Sequence, residues 1–251
     1  MTELEFFREK MLRITFAVVT AMIFATSALA DGTCQAPAPS DIQAVACAKD
    51  GKSKGKAGKF DYYALVLGWS PHHCRGKDVT GVDDFQCKAN RFAFVVDGFW
   101  PVRNSGKLPQ YCAGPSVPAL PADLIAENLC TIPNASTIQC DWKKQGTCSG
   151  LDDEAYFATA RKLYAGLHFP PDFQQPFPND RVMQTTDFID AMVAANPGLK
   201  AENIALICEG GGISKNIEKI GVCYDPKLRP YPCGRVPDAC RSTEVNFFGL
   251  K

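Results

Sequence analysis

The cysteine content constrains this chain more than any other feature of its sequence. All twelve cysteines follow residue 30, and no two are separated by only two residues, the spacing of zinc knuckles and redox motifs. An even number of cysteines in an exported chain is typical of a disulfide-bonded domain. The sequence therefore predicts disulfides and no metal site, in a protein that is periplasmic or secreted.

The first thirty residues have the pattern of a secretory signal peptide. A basic start at residues 11–13 precedes an apolar run over residues 14–25, and the small residues 27–30 offer a cleavage site. The apolar run has about a dozen residues, whereas a membrane-spanning helix needs roughly 20. We therefore expect residues 1–30 to be removed and no membrane anchor to remain; initiation at Met11 would give a more usual signal than initiation at Met1.

The charges balance, since 27 Lys and Arg residues face 27 Asp and Glu residues. A protein held on nucleic acid mainly by phosphate charge would show a basic excess, so any RNA contact must be local, and DNA binding is not expected. A flexible arm rich in Pro, Ser, Gly and Lys is predicted over residues 31–59, before one large domain over residues 60–251. The lysines of residues 51–59 could contact phosphates, but a solvated linker is the simpler interpretation.

Hydrophobic periodicity predicts an α+β domain with a central, largely antiparallel sheet and flanking helices. Strands are predicted at residues 62–69, 92–96, 204–208 and 220–224. Helices are predicted at residues 122–129, 153–167 and 187–195. The second helix can be capped by Asp152 or Asp153 and the third by Thr185 or Thr186. Because strands and helices do not alternate strictly, a parallel doubly wound sheet is disfavoured.

Two segments carry residue types suited to an anionic ligand. Residues 94–101 (Phe-Val-Val-Asp-Gly-Phe-Trp-Pro) place Asp97 at a strand end. Residues 140–148 (Cys-Asp-Trp-Lys-Lys-Gln-Gly-Thr-Cys) place an acid, an aromatic, two lysines and an amide on about two helical turns. From the residue types alone, these segments indicate at most a modest anionic-ligand site.

Together with residues 64–71 (Ala-Leu-Val-Leu-Gly-Trp-Ser-Pro), these segments resemble the ribonuclease T2 family in its bacterial form, and the resemblance continues to about residue 240. It implies the ribonuclease T2 fold with multiple disulfides, and cleavage of single-stranded RNA through a 2′,3′-cyclic phosphate without a metal or cofactor. That reaction needs a base for the 2′-hydroxyl, an acid for the leaving 5′ oxygen and a cation for the charge on phosphorus. Histidines suit the first two roles because imidazole titrates near neutral pH.

The resemblance assigns the family's active site to five positions. Its three histidines correspond to Asp97, Cys140 and Gln145, its glutamate to Asp141 and its lysine to Lys144. All three histidines are therefore replaced. An amide cannot exchange a proton, and a carboxylate of pKa about 4 repels the phosphate that it faces. Each general acid or base contributes about 10²–10⁴-fold, so we expect little or no turnover.

Four further residues are candidates for substrate binding. Trp100 and Trp142 could stack on bases or pack in the core, and packing is favoured for Trp142. His72 and His73 follow the first strand and could replace the lost histidines, or they could be loop residues beside a disulfide. Lys144 is either a phosphate clamp or the partner of Asp141 in an ion pair.

The resemblance also implies disulfide pairs. It gives Cys112–Cys148, Cys208–Cys240 and Cys223–Cys233, and Cys74–Cys87 fits the bacterial pattern. Elimination then leaves Cys130–Cys140 and Cys34–Cys47.

Three functions are compatible with these features. The leading hypothesis is an exported, catalytically inactive relative of a ribonuclease that binds single-stranded RNA or a nucleotide. The second is a weak endoribonuclease that uses Asp97, or His72 and His73, with Lys144. The third is a periplasmic protein-interaction module, whose protein partner the sequence does not identify.

Overall fold

The structure is a computed structural model, and it describes residues 34–42, 47, 53–76, 85–209, 215–235 and 239–250. The predicted signal peptide lies outside the described residues. Within those ranges, no helix has both the length and the apolar character needed to cross a membrane.

An antiparallel sheet of four strands forms the centre of the domain. Its strands are β1 (Tyr62–Trp69), β2 (Phe94–Val102), β4 (Ile204–Cys208) and β5 (Ile217–Tyr224), in the spatial order β2–β1–β5–β4. A separate antiparallel pair joins β3 (Arg181–Gln184) to β6 (Glu244–Phe247). The predicted α+β class with an antiparallel sheet is confirmed, although β3 and β6 were not predicted and β2 continues six residues beyond its predicted end.

Five α-helices flank the sheet in the described ranges. They are α1 (Ser70–Cys74), α2 (Ala122–Asn128), α3 (Ala135–Lys144), α4 (Asp153–Ala165) and α5 (Thr185–Ala195). The side chain of Asp152 caps α4 by accepting a hydrogen bond from the backbone N–H of Ala155 at 2.8 Å, as predicted. The predicted threonine cap of α5 is wrong, because the helix begins at Thr185 directly after β3. The Thr185 hydroxyl instead donates to the Ser242 carbonyl at 2.9 Å.

The two faces of β1 divide the core as the alternation of its residues predicts. Tyr63, Leu65, Leu67 and Trp69 face the main core, whereas Tyr62, Ala64 and Val66 face a smaller cluster. The Trp69 side chain is fully buried among phenylalanine rings, and its indole N–H donates to the Phe248 carbonyl at 2.7 Å. Each fully buried large apolar side chain stabilises the fold by about 1.5–3 kcal/mol, so β1 is a main determinant of stability.

The disulfides differ from the expectation in the N-terminal arm. Four expected pairs are present: Cys74–Cys87, Cys112–Cys148, Cys208–Cys240 and Cys223–Cys233. The expected Cys34–Cys47 and Cys130–Cys140 pairs are wrong, because the structure joins Cys34 to Cys130 and Cys47 to Cys140.

The physical reason is that the arm packs on the domain instead of closing a loop on itself. Ile42 packs against the main core, and each arm cysteine reaches a different part of the segment that contains α2 and α3. Elimination could not detect this arrangement, because four cysteines can pair in three ways and the sequence does not show where the arm lies. Whether the arm is flexible elsewhere stays a prediction.

Replacement of one arm cysteine should release a thiol in the domain. We expect the Cys34→Ser variant to expose Cys130 to alkylation and the Cys47→Ser variant to expose Cys140, under denaturing conditions without reductant. Each variant should also lose about 2–4 kcal/mol of unfolding free energy, the usual contribution of a disulfide. Peptide mass spectrometry identifies the alkylated residue. Alkylation of Cys47 in the Cys34→Ser variant would restore the pairing expected from sequence.

Candidate functional site

Asp97 occupies a β-bulge in the middle of β2. The pairing between β1 and β2 runs from Val66 opposite Gly98 to Leu67 opposite Val96, so Asp97 is the extra residue between these pairs. A bulge bends the strand and redirects the side chain of its extra residue, and bulges are frequent beside active sites. The bulge therefore redirects the carboxylate of Asp97, the position to which the sequence resemblance assigns the family's first histidine.

The Asp97 carboxylate is bound to Lys219 of β5. The Lys219 ammonium lies 3.0 Å from Asp97 and 3.3 Å from Glu218, and only 25% of the Lys219 side chain is exposed. Burial lowers the pKa of Lys219, but its two carboxylate partners outweigh burial and leave that pKa above its ordinary value. Gly68 lies on β1 between the two strands, and its missing side chain leaves space for this ion pair. The charge of Asp97 is thus already compensated within the chain.

Asp141 of α3 is buried, and its hydrogen bonds link α3 to β2 and α4. Its Oδ1 accepts a hydrogen bond from the Trp100 indole N–H at 2.8 Å, and its Oδ2 lies 2.7 Å from the Tyr156 hydroxyl of α4. Gly98 is required beside this pair, since a Cβ atom there would overlap the Trp100 ring. Asp141 therefore contacts Trp100 and Tyr156 instead of forming the ion pair with Lys144 that the sequence left open.

The Tyr156 hydroxyl has one hydrogen but lies within hydrogen-bond distance of two acceptors, so both hydrogen bonds form only if Asp141 is protonated. It lies 2.7 Å from both the Phe99 carbonyl and Asp141, and it can donate to only one of them. A protonated Asp141 supplies the second hydrogen by donating to Tyr156. Burial raises the pKa of Asp141 to about 7, although the hydrogen bonds from Tyr156 and Trp100 lower it. The geometry and the direction of the shift therefore agree on a neutral acid at mildly acidic pH.

The other family positions lie on α3 and just after it. Cys140 forms a disulfide with Cys47. Gln145 is 2% exposed, and its Oε1 atom is buried without a hydrogen-bond partner among the described residues. Lys144 is exposed in the last turn of α3. Trp142 packs on the rings of Tyr156 and Phe157, which is the packing role that the sequence favoured.

A cleft of about 130 Å³ lies beside Asp97. The residues that can contact a ligand there come from four elements and one loop, and they are His72, His73, Asp97, Asn134, Thr137, Glu218 and Lys219. Both candidate histidines thus lie near Asp97, whereas Cys140, Asp141, Lys144 and Gln145 do not line the cleft. Among the residues that the structure describes, no three His, Cys, Asp or Glu side chains cluster as metal ligands.

His72 is held by an aromatic and an acidic neighbour. His72 stacks on the Phe248 ring at a centroid distance of 5.3 Å, and its Nε2 lies 3.6 Å from the Glu209 carboxylate. Sequence reasoning found both histidines but missed Lys219, since it predicted that β5 starts at Ile220. The strand begins three residues earlier, at Ile217, and therefore includes Lys219, which lies opposite Gly68 and beside Asp97.

These features define a disulfide-bonded α+β domain with a cleft at a bulged strand of an antiparallel sheet. The model of the ribonuclease T2 family matches residues 60–233. The chain therefore belongs to the ribonuclease T2 family, and its similarity to bacterial members supports the bacterial type.

Two bacterial relatives and one solved structure illustrate the similarity. A probable ribonuclease of Haemophilus influenzae is 29% identical over 184 residues, which cover 69% of this chain and 61% of the relative. A ribonuclease of Aeromonas hydrophila is 35% identical over 113 residues, 45% of this chain and 48% of the relative. The chain thus spans about half to two thirds of these relatives. The structure of RNase NT in complex with 5′-AMP has a TM-score of 0.56 at 19% identity, covering 76% of this chain and 99% of that chain; this likeness shows the fold.

The buried acid should make stability depend on pH. Asp141 has an ordinary pKa of 3.8 when unfolded and about 7 when folded, so the folded chain holds an extra proton between these values. This contribution is complete below pH 4, and the unfolding free energy falls as the pH rises to about 7, by on the order of 1.4 kcal/mol per unit of pKa shift. Urea unfolding of the native chain and of Asp141→Asn at several pH values measures this effect.

In the Asp141→Asn variant, the unfolding free energy should not fall as the pH rises from about 4 to about 7, because the amide can donate to Tyr156 and accept from Trp100 at every pH. Asp187→Asn is the matched control, since Asp187 is exposed on α5. Parallel pH curves for the native chain and Asp141→Asn would contradict a protonated Asp141.

Proposed function

We propose that this chain is an exported, periplasmic protein that retains the ribonuclease T2 fold, no longer cleaves RNA, and binds RNA or a nucleotide. The main support for this proposal is that the side chains at the family's acid and base positions take part in structural contacts. Asp97 pairs with Lys219, Cys140 forms a disulfide, and Gln145 is buried. A proton-transfer group must reach the substrate, and none of these three side chains can serve as the family's histidines do.

The export part of the proposal rests on the six disulfides and on the signal-like leader. Disulfides persist in oxidising compartments and are rare in the cytosol. Two of the relatives of this chain are bacterial, and its disulfides need an oxidising compartment, so we favour the periplasm over the cytosol.

Nucleotide binding is supported by the cleft and by the relatives. RNase NT was solved with 5′-AMP and RNase MC1 variants with 5′-GMP and 5′-UMP. In this chain, Asn134 and Thr137 offer hydrogen-bonding groups in the cleft, whereas Lys219 is already paired with Asp97 and Glu218. No cofactor is needed for either part of the proposal.

The native chain should not cleave single-stranded RNA. A labelled oligonucleotide is incubated with purified protein and resolved on a denaturing gel, with the Aeromonas ribonuclease as positive control. The proposal fails if the native chain forms cyclic-phosphate products and if this activity disappears in Lys144→Ala or Asp97→Asn.

Restoration of the histidines should create activity. The variant combines Asp97→His, Cys140→His and Gln145→His with Cys47→Ser, which removes the thiol left by the broken disulfide. We expect at least a 10²-fold gain over the native chain, since each acid or base contributes about 10²–10⁴-fold. The matched control carries only Cys47→Ser and Cys140→Ser. Equal activity of the two variants would show that more than the proton-transfer groups has been lost.

Blocking the cleft should abolish nucleotide binding. In Gly68→Leu the new side chain enters the cleft, where a Cβ atom would lie 4.0 Å from the Cβ of Asp97. We expect 5′-AMP affinity, measured by calorimetry, to fall at least tenfold. The control Gly221→Ala adds a methyl group elsewhere in the sheet, 3.8 Å from Ala205. Unchanged binding in Gly68→Leu would remove the cleft from the proposal, and absence of any RNA or nucleotide binding would favour the protein-interaction module.

A weak endoribonuclease is the second candidate, because His72, His73 and Asp97 line one cleft. Two imidazoles near one carboxylate can supply an acid and a base. This function requires a bell-shaped pH dependence of cleavage that is lost in His72→Gln and His73→Gln.

A further inference from the structure

The lysine-bearing end of the N-terminal arm follows the surface of the domain. Residues 53–59 precede the family match, which begins at residue 60. The Lys54 N–H donates to the Gln110 carbonyl at 2.8 Å, and the Gly58 N–H donates to the Cys148 carbonyl at 2.9 Å. Gly55 lies so close to Pro109 that a Cβ atom would require Pro109 to move. The backbone of this segment is therefore positioned by the loop around residues 109–112 and by Cys148.

The same loop connects the arm to Lys144, the family lysine. The Tyr111 N–H donates to the Lys144 carbonyl at 2.8 Å, and Cys112 is disulfide-bonded to Cys148. The arm segment and Lys144 thus both form backbone hydrogen bonds with the loop around residues 109–112. This places a segment outside the family's own region beside a residue of its active-site helix.

Four lysines at this loop are exposed and carry uncompensated charge. They are Lys54, Lys56, Lys59 and Lys144. None of them forms a salt bridge within the described ranges. Asp61, which follows residues 53–59, accepts a hydrogen bond from the Asn104 N–H at 2.8 Å. In a chain with no net charge, this concentration of unpaired cations is a local attraction for anions.

Tyr111 lies on the loop that contacts both the arm segment and Lys144. Its φ of 53° lies in the left-handed region, which is costly for a residue other than glycine and is common at functional sites. The residue is half-buried, and its side chain makes no hydrogen bond or ring contact in the part of the chain that the structure describes. The backbone of Tyr111 is therefore strained, and its half-buried ring makes no hydrogen bond or aromatic contact among the described residues that would compete with a ligand.

We infer that Lys54, Lys56, Lys59, Lys144 and Tyr111, together termed the arm surface, bind single-stranded RNA. The lysines bind backbone phosphates and Tyr111 stacks on an unpaired base, the combination by which proteins hold single strands without reading their sequence. A double-stranded nucleic acid or an acidic protein could satisfy the lysines, but neither offers an unstacked base to Tyr111. This inference rests on the RNA-binding part of the proposed function and adds a second contact region outside the cleft.

The test measures binding of a 12-nucleotide oligouridylate by fluorescence anisotropy between 50 and 200 mM salt. Each lysine–phosphate contact contributes about 0.7 to the slope of log affinity against log salt for a single strand. The triple variant Lys54→Gln, Lys56→Gln, Lys59→Gln should therefore lose about 2 units of slope and bind at least tenfold more weakly at low salt. The control triple variant Lys162→Gln, Lys200→Gln, Lys227→Gln removes the same charge from other exposed positions and should keep the native slope.

Tyr111→Asn tests the stacking contact, because asparagine tolerates a left-handed backbone. It should weaken binding of the single strand about tenfold and leave the salt slope and the weaker binding of a duplex of equal length unchanged. Polyglutamate of equal charge is the probe for an acidic partner. Binding of polyglutamate or of the duplex as tightly as the single strand would overturn the assignment to single-stranded RNA.

The proposal for the cleft and the proposal for the arm surface can be contradicted separately. Titration with 5′-AMP reports on the cleft, and the arm variants should not change it. If 5′-AMP does not bind while the oligonucleotide binds with the expected slope, the cleft proposal fails and the arm surface stands. If the lysine variant keeps the native slope, or if the oligonucleotide does not bind at all, the arm surface is overturned whatever 5′-AMP does.

Discussion

The buried carboxyl group of Asp141 is the interaction on which the arrangement of the site depends. It joins helix α3 to Trp100 of strand β2 and to Tyr156 of helix α4. A polar group without partners in this interior would cost several kcal/mol, so the three elements must keep the positions that satisfy it. Asp141 therefore links β2 and α3, two elements that line the cleft, although Asp141 is not itself a lining residue.

The replacements at the other family positions form a coherent pattern. Cys140 gained a covalent bond to the arm, and Asp97 gained Lys219 across the gap that Gly68 leaves. Cys140 and Asp97 therefore each have a structural partner, whereas the Gln145 Oε1 atom is buried without a hydrogen-bond partner among the described residues. A single reverse substitution breaks a structural contact before it restores any chemistry. Asp97 and Cys140 thus contribute to the fold itself, through an ion pair and a disulfide.

The sequence predicted the elements that depend on local pattern, and it failed where distant parts of the chain meet. The alternation of residues 62–69 predicted β1 with its correct bounds and both of its faces. The arm disulfides were mispaired because their geometry depends on where the arm packs. Lys219 was missed because its importance comes from a neighbour two strands away, Asp97, and from the absence of a side chain at Gly68. No local pattern carries that information.

The distribution of charge separates two regions that the net charge of zero conceals. Among the described residues that line the cleft, the one lysine, Lys219, is already paired with Asp97 and Glu218, and the carboxylates there repel a phosphate. On the arm surface, four lysines have no such partners in the described ranges. Coulomb attraction favours the uncompensated cations, so a bound strand would place its phosphates along the arm surface. The cleft would then bind the uncharged parts of a nucleotide, the base and the sugar. The amide, hydroxyl and imidazole groups of the cleft can form hydrogen bonds with them.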